Sequence, residues 1–117
     1  MIINSILTST KEALGILPEH TFYDNQITMH INSVFTILNQ LKVGPEEGYQ
    51  IESEEDLWTD FIVDSKRVNA VKSYMFLRVK LMFDPPQMGY LVDSIRKQCD
   101  ELEWRLNVQV DPGLAVS

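Results

Sequence analysis

The chain is organised around residues 65–107, SKRVNAVKSYMFLRVKLMFDPPQMGYLVDSIRKQCDELEWRLN. In the first half, apolar side chains recur at the three- and four-residue steps of one helix face, and they are Ala70, Val71, Tyr74, Leu77, Leu81 and Met82. A second stripe has the same spacing and consists of Leu91, Ile95, Cys99, Leu102 and Leu106. Between the stripes, Pro85 and Pro86 lack backbone donors, and Pro85 disfavours the helical conformation at Asp84. This stretch therefore predicts a long helical hairpin.

The preceding part of the chain predicts shorter helices. Residues 4–14 have apolar side chains at helical spacing, and Gly15 follows where a left-handed stop residue is expected. Asp24 is the predicted N-cap of a second helix, whose apolar face continues to Lys42 before the Gly44-Pro45 break. A short helix over residues 55–63 directs four apolar side chains inward, namely Leu57, Trp58, Phe61 and Ile62. The predicted fold class is all-α, a small bundle of about four to five helices.

Residues 43–55 interrupt the helical pattern. Turn residues are concentrated here, and Tyr49 and Ile51 alternate with polar positions as in a short strand. The segment predicts a projecting loop or short β-hairpin, and it is a candidate contact with another subunit or partner through Tyr49, Gln50, Ile51 and Glu52. Ser53 and Asp56 have the spacing of a capping box, and Asp64 or Ser65 is suited to cap the next helix.

The chain divides into a helical domain, residues 1–107, and an extended C-terminal tail, residues 108–117. The tail alternates apolar residues and then contains a Pro-Gly turn, and it has no core of its own to join. Such a segment is typical of chain that becomes ordered on a partner. The predicted contact residues are Val108, Val110, Pro112, Leu114 and Val116.

Composition limits the class of protein. The 117 residues are 44% hydrophobic and 23% charged, as in one globular domain. A net charge of -7 opposes sequence-independent binding to nucleic-acid phosphates. The single cysteine, Cys99, forbids an intramolecular disulfide and favours a reducing, cytoplasmic context. The sequence shows no signal peptide and no apolar run of about 20 residues, so no membrane association is expected.

No catalytic or metal site is predicted. His20 and His30 are the only imidazoles, and neither is spaced to pair with Cys99 or a serine as a nucleophile and base. The acidic runs near residues 46–47 and 52–56 lack the ligand pattern of a calcium loop, and there is no glycine-rich phosphate loop. We therefore expect no enzymatic activity and no cofactor.

The first helix of the hairpin carries a concentration of basic residues with two interpretations. In the first interpretation, the helix enters a DNA groove, as in a small helical DNA-binding or regulatory protein that uses helix 65–83. In the second, its basic side chains pair with acidic groups of this chain or of a neighbouring subunit. The overall acidity favours charge pairing. Trp104, which lies among charges beside an apolar stripe, is the expected interface anchor. The predicted lateral contacts are Lys66, Arg67, Arg78, Lys80 and Trp104.

The helical hairpin also resembles a known family. Residues 71–86, VKSYMFLRVKLMFDPP, and residues 102–107, LEWRLN, are similar to the small head-tail connector proteins, also called adaptor or neck proteins, of tailed bacteriophages. The resemblance covers residues 7–107 and includes Leu14-Gly15-Ile16, the helix at 24–41, the Gly44-Pro45 break, Gly48-Tyr49 and the WTDF motif at 58–61.

The resemblance implies a structural virion protein made in the host cytoplasm. Connectors of this family form a ring of about twelve copies beneath the portal, through heterologous contacts repeated around the axis. The ring extends the DNA channel and provides the platform for a neck or tail completion protein. The implied partners are therefore other copies of the chain, the portal protein and the tail or neck protein, while DNA passes without specific binding.

Overall fold

A computed structural model describes residues 4–62 and 64–110 of the chain. Within these residues it contains five helices, which are α1 (Ile6–Ala13), α2 (Asp24–Gln40), α3 (Trp58–Phe61), α4 (Ser65–Phe83) and α5 (Gly89–Val110). The all-α prediction is confirmed. The same two stretches contain no strand, and their one β-type contact is an isolated antiparallel bridge between Ser5 and Leu57.

The predicted helical hairpin is formed by α4 and α5, and the proline-containing stop lies between Phe83 and Gly89. α4 is the central helix, because it packs against α1, α2 and α5, whereas α2 and α5 share few contacts with each other. A helix covered on several sides needs more than one apolar stripe. Accordingly, Met75 and Val79 lie in the core beside Val71 and Tyr74, whereas Met82, which belongs to the predicted stripe, is exposed.

α1 ends as its sequence predicts. Gly15 has a left-handed φ of 81°, and its N–H donates to the Glu12 carbonyl at 3.0 Å. The N–H of Ile16 donates to the Lys11 carbonyl at 2.9 Å, which completes a Schellman motif. At the other end, the Ser5 hydroxyl accepts a hydrogen bond from the Thr8 N–H at 3.2 Å and caps the helix.

α2 departs from the prediction at both ends. Asp24 is its first residue and not its N-cap, because the carboxylate is held 2.8 Å from the ammonium of Lys11, a buried lysine that also donates to the Pro18 carbonyl. The helix stops before Gly44, because Lys42 takes the left-handed position with a φ of 64°. The next N–H, that of Val43, then donates back to the Leu38 carbonyl.

The segment that was predicted as a projecting loop or short β-hairpin is held against α2 by two side chains of that helix, Asn32 and Asn39, and Asn39 donates to the carbonyls of Pro45 and Glu46. The Asn32 amide donates to the Ile51 carbonyl at 3.0 Å, and its oxygen accepts from the Ile51 N–H at 2.8 Å. Asn32 thus takes both backbone groups that a strand partner would have satisfied. Ile51 is buried as a result, so the segment lies on the domain at this point and does not project from it.

The last short helix, α3, is shorter than predicted, but Trp58 and Phe61 are buried as expected. The Asp56 carboxylate accepts from the N–H groups of Glu52 and Ser53, so it closes a turn and does not cap a helix. The Asp64 carboxylate accepts from the Lys66 N–H at 2.9 Å, which confirms it as the cap of α4.

Candidate interaction surfaces

A polar cluster joins the two helices of the hairpin. Glu103 on α5 accepts hydrogen bonds from the Tyr74 hydroxyl at 2.9 Å and from the Arg78 guanidinium at 2.8 Å. Arg78 also donates to the Tyr74 oxygen at 3.1 Å, so the three side chains form a closed triangle. The charge of Arg78, one of the predicted lateral contacts, is therefore already paired within its own chain.

Burial of this cluster has a consequence at high pH. It raises the pKa of the Tyr74 phenol above its ordinary value of 10.0, which means that the folded state favours the protonated form. The resulting stabilisation is complete below pH 10 and is lost as the pH rises further. We expect the free energy of unfolding to fall by up to about 1.4 kcal/mol per pH unit above pH 10 on account of Tyr74.

Denaturant titrations at several alkaline pH values measure this loss. Because burial also raises the pKa of Tyr49 and of Cys99, the wild type is compared with Tyr74→Phe, which lacks the phenolic hydroxyl and keeps the ring. The expected result is a shallower decline in the variant. Parallel declines in the two proteins would contradict the assignment.

Of the other basic residues of α4, Lys72 and Lys80 also make contacts within the domain. Lys80 pairs with Asp84 at 2.9 Å, Lys72 lies 5.8 Å from the centre of the Trp58 ring, and the Nε and Nη2 atoms of Arg67 are buried. Among the basic residues of α4, only Lys66 is largely exposed. This arrangement does not offer a basic face to a DNA groove, and lateral charge pairing stays a prediction that rests mainly on Lys66.

The negative charge is concentrated in one stretch, the acidic segment, residues 46–64. It contains eight acidic residues and no basic one, so its charge of -8 exceeds the -7 of the whole chain. Its acidic members are Glu46, Glu47, Glu52, Glu54, Glu55, Asp56, Asp60 and Asp64. All are exposed except Asp56, which is half-buried. Only parts of this run were predicted, as a solvated face and helix caps; the complete lack of basic residues between positions 46 and 64 is the signal that marks the whole segment.

The predicted contact residues of the loop are divided by the fold. The Tyr49 ring packs 5.1 Å from Phe35 and 5.5 Å from Phe61, and Ile51 is in the core. Only Gln50 and Glu52 face solvent. A partner contact through this loop stays a prediction, and those two side chains are the ones available for it.

The predicted tail begins later than expected. α5 continues to Val110, so Val108 and Val110 belong to the helix and not to an extended segment. The other three predicted contacts, Pro112, Leu114 and Val116, lie outside the described residues. Trp104, the predicted interface anchor, is 68% exposed on α5.

The side chains able to do chemistry are dispersed. His20 is exposed in the loop after α1, His30 is half-buried near the ring of Phe83, and Cys99 is buried. Over residues 4–62 and 64–110, no three His, Cys, Asp or Glu side chains come together as metal ligands. In that same portion, none of the helices combines the length and the apolarity needed to cross a membrane.

Comparison with known proteins gives one match. The family model described as phage connector protein matches residues 6–113. No curated protein and no solved structure matches the chain. The family match covers almost the whole domain, including the hairpin and its proline stop. The chain belongs to the phage connector protein family, and its role is structural, in the connection between the head and the tail of the virion.

Proposed function

We propose that this chain is a non-enzymatic ring subunit that lies between the portal and the tail, extends the DNA channel and provides the platform for a tail or neck protein. The observation that carries the proposal is the acidic segment, which holds the negative excess of the chain in one exposed stretch. A closed ring of about twelve subunits repeats that stretch around its axis.

In this ring the acidic segment lines the channel. Repeated carboxylates repel the phosphates of DNA over roughly 8 to 10 Å at physiological salt, which is the Debye screening length under those conditions. The genome therefore passes without binding to the wall. Two of the basic residues of α4, Arg78 and Lys80, do not oppose this field, because they are paired within the chain.

The C-terminal residues dock on the portal. Residues 111–117, DPGLAVS, follow α5 and offer Leu114 and Val116 as apolar anchors. We expect this sequence to add extended backbone to the portal surface, with alternate side chains as the specific contacts. The tail or neck protein then binds the opposite side of the ring.

The test is native mass spectrometry of the chain alone and with the portal protein of the same phage. A ring, or a stoichiometric complex with the portal, is the expected result. The double variant Leu114→Asp with Val116→Asp is expected to lose the portal complex, whereas Ser117→Asp, which adds charge without removing an apolar anchor, is expected to keep it. Failure of the wild type both to self-assemble and to bind the portal would refute the proposal.

A further inference from the structure

The exposed side of α2 is free of charge. Between Asn25 and Gln40 the helix has no Asp, Glu, Lys or Arg, although these types make up 23% of the chain. Its solvent-facing residues, here called the α2 face, are Asn25, Gln26, Met29, Ser33, Thr36 and Gln40. The hydroxyls of Ser33 and Thr36 donate to carbonyls of their own helix. Depletion of charge with an exposed methionine at the centre is typical of an interface core.

The outer side of α5 offers a different surface. Tyr90, Lys97 and Trp104 recur at seven-residue steps, opposite the buried Cys99 and Leu106. These three side chains are the α5 ridge, and both of its aromatic residues are 68% exposed. Seven-residue spacing along one helix side is typical of packing against another helix. The exposed charges of the ridge and of the positions beside it balance in sign, and they are Asp93, Arg96, Lys97, Asp100, Glu101 and Arg105.

The two surfaces belong to different helices, because α2 and α5 both pack on α4 and share few contacts with each other. They are also similar in length. α2 has 17 residues, or about 25 Å, and the ridge spans about 21 Å from Tyr90 to Trp104. A cyclic assembly requires two such surfaces, different from each other and complementary.

We propose that the α2 face of one copy packs against the α5 ridge of the next, with Met29 and Trp104 at its centre. The inference rests on the proposed ring and identifies its lateral contact. Charge argues for a second copy as the occupant. Two chains of net charge -7 repel each other, and they approach most easily across surfaces that are neutral, as the α2 face is and as the α5 ridge is when its neighbouring charges are included.

Two variants each remove one surface and keep the other. Met29→Glu places a charge on the α2 face, and Trp104→Glu does so on the α5 ridge. Both side chains are exposed, so the fold is retained, which circular dichroism and a thermal melt verify. Gln98→Glu adds the same charge to an exposed position of α5 that lies outside the ridge, about 100° around the helix from Lys97, and serves as the matched control.

Self-association is measured by sedimentation and native mass spectrometry over a range of concentrations. The wild type and Gln98→Glu are expected to form rings, whereas each surface variant is expected to associate at least about 30-fold more weakly and stay monomeric. A mixture of Met29→Glu and Trp104→Glu retains one intact α2 face and one intact α5 ridge. It is therefore expected to give a one-to-one dimer and nothing larger.

The mixture of the two variants distinguishes a contact between the α2 face and the α5 ridge from other contacts between subunits. Rings formed by either variant alone, or a mixture that stays monomeric, would overturn the assignment of the two surfaces while leaving the ring itself in place. Variants that assemble normally but no longer bind portal protein would overturn it too, since the surfaces would then face the portal. A wild type that is monomeric at every concentration and also forms no stoichiometric complex with the portal protein would remove the ring, and this contact with it.

Discussion

Replacing Gly44 by alanine is expected to lower the free energy of unfolding by about 2 to 5 kcal/mol. Gly44 has a φ of 90°, a left-handed conformation that costs a residue with a Cβ atom about 1 to 2 kcal/mol. The new Cβ would also lie 2.6 Å from Cζ of Phe61 and closer still to Cε1. The Phe61 ring is buried 4.7 Å from Phe35, so relief of this overlap disturbs the aromatic core.

Gly48→Ala separates the two costs. Gly48 has nearly the same φ, 89°, but the nearest atom to its added Cβ is the amide nitrogen of Asn39 at 3.8 Å, which is ordinary contact. This variant is expected to lose only the conformational part, about 1 to 2 kcal/mol. Denaturant unfolding of both variants measures the difference. Equal losses would show that Phe61 does not constrain Gly44.

Trp58→Ala is the second large effect, with an expected loss of about 3 to 5 kcal/mol. Trp58 is 1% exposed, and its ring lies 6.3 Å from Phe76 and 6.4 Å from Phe35. Its indole N–H donates to the Ser9 hydroxyl at 2.8 Å, which joins α3 to α1. Truncation therefore removes a large apolar volume at a point where side chains from different helices pack together.

Ser9→Ala tests the hydrogen bond apart from the packing. It leaves the buried indole N–H without its acceptor, for an expected cost of about 1 to 3 kcal/mol, whereas Trp58→Phe removes the polar group together with part of the volume. Thermal and denaturant unfolding of the three variants rank these losses. A loss below about 1 kcal/mol for Trp58→Ala would contradict its place in the core.

The proposed surfaces and the core are formed by different residues. Met29 and Trp104 are exposed, whereas Gly44, Phe61 and Trp58 act inside the domain. Variants of the first group are expected to change assembly at constant stability, and variants of the second to change stability before assembly. A connector subunit needs both properties, because its surfaces are useful only when a rigid domain holds them in place.

The sequence by itself determined the features that depend on neighbouring residues. The proline stop of the helical hairpin, the Gly15 end of α1 and the Asp64 cap of α4 all follow from local backbone chemistry, and all are present. The burial of Trp58 followed from apolar spacing. The resemblance to phage connectors also came from the hairpin motif, and the family match bears it out.

Only the tertiary structure decided the features that join distant residues. Asn32 binds the backbone of Ile51 in place of the strand partner of the predicted β-hairpin. Lys11 forms an ion pair with Asp24, which therefore does not cap α2, and Glu103 forms an ion pair with Arg78. Met75 and Val79 entered the core because α4 is covered on more than one side. Each of these outcomes depends on a partner from another element, and a pattern of local spacing carries no information about which polar groups the packed helices bring within hydrogen-bonding distance.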